Sequence, residues 1–129
     1  METKKTILIA DTSEEFRTIL ADALQAEEGL EVVGQTSDGQ EAIQMVQDRS
    51  PDILVMDLVL GRMDGFDVLK VMRCYSWLDE IPVIMISAAK DTANIERAYD
   101  LGVADYMRRP FERVMVLRQV QNVLMLYAK

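Results

Sequence analysis

The most restrictive feature of this 129-residue sequence is a repeated alternation of short apolar runs with longer segments of helical periodicity. The run at residues 53–56 (ILVM) is continuously apolar, as is typical of strands buried on both faces of a parallel sheet. The predicted strands are residues 6–10, 30–34, 53–56, 82–87 and 105–107, and the predicted helices are residues 14–28, 40–49, 66–73, 92–101 and 111–127. This order predicts an α/β fold: a doubly wound, five-stranded parallel sheet with helices on both faces.

Residues at the ends of the predicted helices agree with this order. Ser13 is suited to cap the first helix, because its side-chain oxygen can accept a hydrogen bond from a free backbone N–H group, and the turn Ser37-Asp38-Gly39 is suited to cap the second. Gly29 and Gly102 are suited to end the first and fourth helices. Asp64 precedes Gly65 at the start of the third helix and is interpreted as a turn residue.

Length and composition indicate one compact domain. Half of the 129 residues are hydrophobic, which is enough for a single core and leaves no room for a second domain. The formal charge of −8 predicts no direct binding to nucleic acid, whose phosphates the molecule would repel. No apolar run is long enough to cross a bilayer, so we expect no membrane contact and a cytoplasmic location.

The absence of histidine narrows the possible chemistry. It excludes a Ser-His-Asp triad, a histidine phosphotransfer role and the usual zinc sites. The single cysteine, Cys74, excludes an internal disulfide and fits a reducing compartment. Any chemistry must therefore depend on carboxylates, hydroxyls, lysine and arginine.

Polar residues stand at the ends of four of the predicted strands. Asp11 and Thr12 follow the first, Asp57 the third and Arg109 the fifth, and Ser87 ends the fourth. Taken singly, each is more simply explained as a cap or a solvated charge. Because parallel strands place their carboxyl ends at one edge of the sheet, where ligands collect, we expect these side chains to converge.

In this order of residues the sequence resembles the response-regulator receiver family. The segments that carry the resemblance are DILVMDLVLGRMDGFDVL, IPVIMISA and LGVADYMRRPF, and the first is similar to the family pattern Asp-x-x-Met-Pro-x-Met-Asp-Gly. It covers the whole chain and implies a flavodoxin-like receiver fold with strand order 2-1-3-4-5. It also implies that residues 1–129 form one receiver domain, which is plausible as the N-terminal domain of a longer regulator.

The resemblance assigns a role to each converging residue. Asp57 would be the phosphoacceptor, Ser87 would bind the phosphoryl oxygen, and Tyr106 would be the switch aromatic. Magnesium would be held by Asp11, Asp57, the backbone carbonyl of Val59 and, weakly, Thr12. Independently of the family, a carboxylate nucleophile receiving a phosphoryl group mainly needs positioning and charge neutralisation, which a hard cation and a fixed basic side chain such as Arg109 can supply.

Three residues depart from the family pattern. Thr12 replaces an acid, and the loss of one charge at about 4 Å is worth roughly 1 to 4 kcal/mol, which predicts weak magnesium binding. Arg109 replaces a lysine, and its planar fork leads to the hypothesis that it pairs with Asp57 and partly replaces the metal. Gly61 replaces a proline, which predicts a more flexible loop after Asp57.

The resemblance also implies partners and an output surface. A histidine kinase or histidine phosphotransfer protein would supply the phosphoryl group in a two-component phosphorelay. The face formed by the fourth helix, fifth strand and fifth helix would transmit the signal, with Met115 and Met125 among its adaptable side chains. A symmetric homodimer and a tethered output domain are further expectations.

Other functions remain open at this point. The main alternative is a pseudo-receiver, an interaction module that works without phosphorylation. An aspartyl phosphatase would need a second Asp two residues after Asp57, where this sequence has Val59, and so we expect no enzyme beyond self-phosphorylation and dephosphorylation. A flavin-binding domain would need a phosphate-binding loop after the first strand, where Asp11, Glu14 and Glu15 would repel a phosphate.

Overall fold

The computed structural model describes residues 3–88, 92–109 and 112–127, and of Arg113 only the backbone. Over these residues five strands alternate with five α-helices. The strands are β1 (Lys5–Ala10), β2 (Leu30–Thr36), β3 (Ile53–Asp57), β4 (Val83–Ser87) and β5 (Asp105–Arg108). The helices are α1 (Glu14–Gln25), α2 (Gly39–Arg49), α3 (Gly65–Cys74), α4 (Thr92–Leu101) and α5 (Arg113–Leu126).

The strands form one parallel sheet in the order β2-β1-β3-β4-β5. This confirms the predicted α/β class and strand order. The strand order changes direction at β1, because β2 lies on one side of β1 whereas β3, β4 and β5 follow on the other. Folds of this kind place their sites at the carboxyl ends of the two strands at this switch point, here β1 and β3.

Alternate residues of the buried strands supply two separate cores, one on each face of the sheet. Ile7 and Ile9 of β1 pack with residues of α1 and α5, whereas Leu8 and Ala10 pack on the opposite face with α2 and α3. The strands in the middle of the sheet read as continuous apolar runs because both of their faces are covered.

The predicted helix starts are confirmed where the structure describes the cap. Ser13 Oγ accepts a hydrogen bond from the N–H of Phe16 at 3.1 Å. Asp38 Oδ1 accepts from the N–H groups at the start of α2, and Asp64 with Asp67 forms a capping box at the start of α3. Asp64 therefore has a structural role, as predicted, but it acts as the cap of α3, where the sequence predicted only a turn.

The helix ends agree less closely with the sequence. α1 ends at Gln25 and not at residue 28, because the chain must reach the sheet, where the N–H of Lys5 donates to the carbonyl of Gly29 at 2.8 Å. A single 3-10 turn at Trp77–Asp79, between α3 and β4, was not predicted. The predicted start of the last helix, Phe111, lies outside the described residues.

None of the helices, over the residues described, combines the length and apolar character needed to cross a bilayer. The fold does bring the polar strand-end residues to one edge of the sheet. Asp11 directly follows β1, Asp57 ends β3, Ser87 ends β4 and Arg109 directly follows β5. This edge is the candidate functional site.

Candidate functional site

Asp11 is a buried acid held in place by the first turn after β1. Its side chain is 2% exposed, and its Oδ1 atom accepts a hydrogen bond from the N–H of Ser13 at 2.9 Å. The guanidinium of Arg17 donates to the backbone carbonyl of Asp11. With one carboxylate oxygen engaged by the backbone, only Oδ2 of Asp11 remains directed at the centre of the site.

Asp57 is the neighbouring acid at the end of β3. Its side chain is 12% exposed, and its Oδ1 atom accepts from the N–H of Val59 at 3.1 Å. Burial raises the pKa of the Asp57 carboxyl, and the nearby charge of Asp11 raises it further. The Val59 N–H and the Arg109 guanidinium oppose this rise, so the carboxylate is only partly compensated.

Arg109 bridges the two acids with a single nitrogen. Its Nη2 atom lies 2.5 Å from Oδ2 of Asp11 and 3.4 Å from Oδ2 of Asp57. The guanidinium also lies over the ring of Phe16, with its central carbon 4.4 Å from the ring centroid. The structure therefore pairs Arg109 with Asp57, as hypothesised, but its shorter contact is to Asp11.

Ser87 and Tyr106 lie on the adjoining strands. Ser87 is buried at the end of β4, and its carbonyl accepts from the N–H of Arg109 at 2.9 Å. Tyr106, on β5, packs against the core on the α2–α4 face. Its hydroxyl is buried and has no hydrogen-bond partner among the described residues.

The loop after Asp57 is tied to the turn before α2. The N–H of Gly61 donates to the carbonyl of Ser37 at 3.0 Å, and the carbonyl of Gly61 accepts from the N–H of Gly39 at 2.9 Å. Arg62, the next residue, forms an ion pair with Asp38 at 2.5 Å. These bonds do not agree with the expectation that Gly61 loosens the loop, because Gly61 has an N–H group that a proline would lack.

Two contributors to the site were missed by sequence reasoning. Phe16 fits the helical spacing of the apolar residues in α1, and nothing local to the sequence indicated that its ring lies under the Arg109 guanidinium. Arg17 was not singled out from the sequence, although its guanidinium donates to the carbonyl of Asp11. Both roles depend on how α1 packs beside the end of the sheet.

A family model described as the response regulator receiver domain matches residues 7–121. The chain belongs to this family. Receiver domains are modules of two-component signalling, in which phosphorylation and magnesium binding are typical. The expected receiver fold is confirmed by the strand order and by similarity to solved receivers.

Relatives of this receiver include longer proteins. It is 34% identical over 121 residues to response regulator RR06 of Streptococcus pneumoniae, covering 94% of the chain and 54% of that protein. It is 31% identical over 117 residues to protein-glutamate methylesterase/protein-glutamine glutaminase 3 of Geobacter sulfurreducens, covering 88% of the chain and 31% of that protein. The chain therefore corresponds to one part of each relative.

Among solved structures, the receiver superposes on the signal receiver domain of the response regulator NarL from Mycobacterium tuberculosis. The TM-score is 0.89 at 25% identity, and the match covers 96% of this chain and 98% of that one. The similarity therefore extends over almost the whole chain.

The site residues of this receiver do not fit the magnesium that is typical of the family. Across residues 3–88, 92–109 and 112–127, no group of three or more acidic, histidine or cysteine side chains could hold a metal ion. Thr12 is neutral and exposed, and Val59 offers only its carbonyl. Nη2 of Arg109 meanwhile contacts the Oδ2 atoms of both Asp11 and Asp57.

Proposed function

We propose that this receiver accepts a phosphoryl group on Asp57 from a histidine kinase or histidine phosphotransfer protein. The observation that carries the proposal is the Asp57 carboxylate, which sits partly accessible at the carboxyl end of a central strand with Oδ2 facing a permanent cation. Such an arrangement provides a nucleophile and charge neutralisation at one point.

The transfer itself is a single displacement at phosphorus. A carboxylate oxygen of Asp57 forms the new bond as the bond from phosphorus to the donor imidazole nitrogen breaks, and the imidazole keeps that electron pair. Arg109 stabilises the negative charge on the phosphoryl oxygens, because its guanidinium carries several N–H donors and stays charged. The role proposed for Ser87, at the end of the next strand, is to hold one of those oxygens.

The signal would leave through α4, β5 and α5. The hydroxyl of Tyr106 on β5 is buried and has no hydrogen-bond partner in the part of the chain that the structure describes, and a buried polar group without a partner costs about 1 to 3 kcal/mol. This cost opposes the present position of the ring, and the proposed signal is that a change at Ser87 shifts Tyr106 away from it. Exposed apolar side chains nearby, Tyr99 on α4 and Val114 and Met115 on α5, are candidate contacts for a partner or a second copy.

Intact-mass measurement tests the phosphorylation directly. The protein is incubated with a small acyl phosphate, with and without magnesium, and with a histidine-phosphorylated donor protein. We expect the gain of one phosphoryl group, its loss in Asp57→Asn and its retention in Asp22→Asn, which neutralises an exposed acid on α1. Unmodified protein with every donor would reject the proposal.

A second candidate is a pseudo-receiver that acts as an interaction module without phosphorylation. The contact of Arg109 with both acids favours it, because this contact gives Asp11 and Asp57 a cationic partner without any ligand. The mass experiment separates the two functions. A pseudo-receiver gains no phosphoryl group, and its partner binding is unchanged by Asp57→Asn.

A further inference from the structure

The Arg109 guanidinium lies between the two acids whose side chains would hold a metal ion in this family. Nη2 is 2.5 Å from Asp11 Oδ2 and 3.4 Å from Asp57 Oδ2, so one nitrogen already occupies the point between the two acids. We infer that Arg109 is the resident cation of this site and excludes divalent ions from Asp11 and Asp57. The inference concerns Asp11 and Asp57 in the unphosphorylated protein, and it holds whether or not Asp57 can accept a phosphoryl group.

Arg109 is anchored from three directions. Its backbone N–H donates to the carbonyl of Ser87 at 2.9 Å, which continues the β4–β5 pairing and fixes where the side chain begins. The guanidinium lies 4.4 Å from the centroid of the Phe16 ring, a contact that strengthens when the cation is partly removed from water. Its third anchor is the pair of carboxylates themselves.

Asp11 can offer little to a second cation. Its Oδ1 accepts the N–H of Ser13 at 2.9 Å, and its Oδ2 has Nη2 of Arg109 at 2.5 Å. The side chain is 2% exposed, so an arriving ion would have to displace the guanidinium before it could reach Oδ2.

The charges lead to the same conclusion. The two carboxylates and the Arg109 guanidinium together carry a single net negative charge, Thr12 adds none, and the Arg17 guanidinium at the carbonyl of Asp11 adds further positive charge. A magnesium ion needs near-octahedral oxygen ligands and gives up its water reluctantly. With only one net charge to attract it and a guanidinium on the same Oδ2 atoms to repel it, a divalent ion gains too little to displace Arg109.

Direct binding of Mn²⁺ as a probe tests this inference without any phosphodonor. Free Mn²⁺ is measured by electron paramagnetic resonance during titration of the full chain. We expect no saturable binding at the acids in the unmodified protein and one saturable ion in Arg109→Ala, with affinity raised roughly tenfold or more. Asp57→Asn added to Arg109→Ala should abolish that binding.

Arg108→Ala is the matched control, because Arg108 is an exposed neighbour on β5 and the substitution changes the net charge by the same amount. It should leave Mn²⁺ binding as in the unmodified protein. Circular dichroism checks folding, and Arg109→Gln, which removes the charge but keeps a longer polar side chain than alanine, replaces the alanine variant if that does not fold. Equal Mn²⁺ affinity in the unmodified protein and a folded Arg109 variant would overturn the inference.

Failure of this inference and failure of the proposed function give different results. Mn²⁺ binding by the unmodified protein with phosphorylation of Asp57 would remove only the role of Arg109 as the resident cation. Absence of phosphorylation, with Mn²⁺ binding only when Arg109 is replaced, would leave the inference standing and remove the proposed phosphoacceptor.

Discussion

At the scale of single residues, Asp57 is an acid whose surroundings favour its neutral form. Burial and the charge of Asp11 raise its pKa above the ordinary value of 3.8, and the contact with Arg109 at 3.4 Å only partly compensates. Because the folded state holds the proton of Asp57 more tightly than the unfolded state does, ionisation of Asp57 lowers the free energy of unfolding. We therefore expect the ionised Asp57 carboxylate to lower the stability of the folded protein at neutral pH.

Asp57→Asn should stabilise the protein at neutral pH, because burial and the charge of Asp11 disfavour the ionised Asp57 carboxyl in the folded state. Between 3.8 and the raised pKa of Asp57, the folded state binds more protons than the unfolded state, so stability falls as pH rises through this window. The gain in free energy of unfolding of Asp57→Asn over the unmodified protein should be small below this pH window and reach its full size above it. Urea unfolding across this pH range measures it, and Asp22→Asn provides the comparison.

Tyr106→Phe should raise the free energy of unfolding by about 1 kcal/mol, because it removes a buried hydroxyl without a partner among the described residues. Tyr99→Phe is the matched contrast, because the Tyr99 hydroxyl donates a hydrogen bond to Asp105 at 3.3 Å. We expect Tyr99→Phe to lower the free energy of unfolding by roughly 0.5 kcal/mol. The midpoints of urea unfolding measure both changes in the free energy of unfolding. A destabilised Tyr106→Phe would show that the hydroxyl has a partner after all.

At the scale of elements, the site depends on a loop that is fixed by its neighbour. The loop after β3 pairs with the turn before α2 through both backbone groups of Gly61, and Arg62 contacts Asp38, the residue that caps α2. The position of the loop that carries Val59 is thus linked to the start of another helix. The glycine at position 61 permits this link because it keeps its N–H.

Gly61→Pro should destabilise the protein by at least about 1 kcal/mol, because the hydrogen bond to the carbonyl of Ser37 is lost. Gly61→Ala keeps that N–H, and an added Cβ would lie 3.5 Å from the Ser37 oxygen, an ordinary contact. We expect it to be neutral or stabilising by about 0.5 kcal/mol.

Hydrogen exchange at the Gly39 amide, which donates to the Gly61 carbonyl, gives a local measurement for the same pair of variants. Exchange should be faster in Gly61→Pro than in Gly61→Ala. Equal protection in the two variants would mean that the loop and the turn are held together by other contacts.

At the scale of the whole molecule, a net charge of −8 opposes self-association while exposed apolar side chains favour it. Val114, Met115 and Met125 are all more than half exposed on α5. A homodimer through this surface would have to bring two strongly negative molecules together. Its stability should therefore depend on salt, which screens the repulsion.

Sedimentation velocity should show association that increases with ionic strength. Met115→Glu should reduce association by placing a charge in the apolar contact, whereas Gln47→Glu, which adds the same charge on α2, should have a smaller effect. Monomers at every salt concentration and protein concentration would exclude the dimer.

The sequence by itself determined the elements and the edge of the sheet where the site lies. Apolar runs, helical spacing and the caps Ser13 and Asp38 are local signals, and parallel strands must bring their carboxyl ends to one edge. Asp11, Asp57, Ser87 and Arg109 could therefore be assigned to that edge from the order of residues. The end of α1 and the 3-10 turn at Trp77–Asp79 were less predictable, because neighbouring elements decide them.

Only the tertiary structure decided how the side chains at that edge share their charges. Arg109 and Asp11 are 98 residues apart, and the ring of Phe16 fixes the guanidinium from a third element. The backbone bonds of Gly61 to Ser37 and Gly39 likewise join segments whose sequences carry no mark of each other. A side chain takes the rotamer that its surroundings allow, and those surroundings exist only after distant segments have packed together.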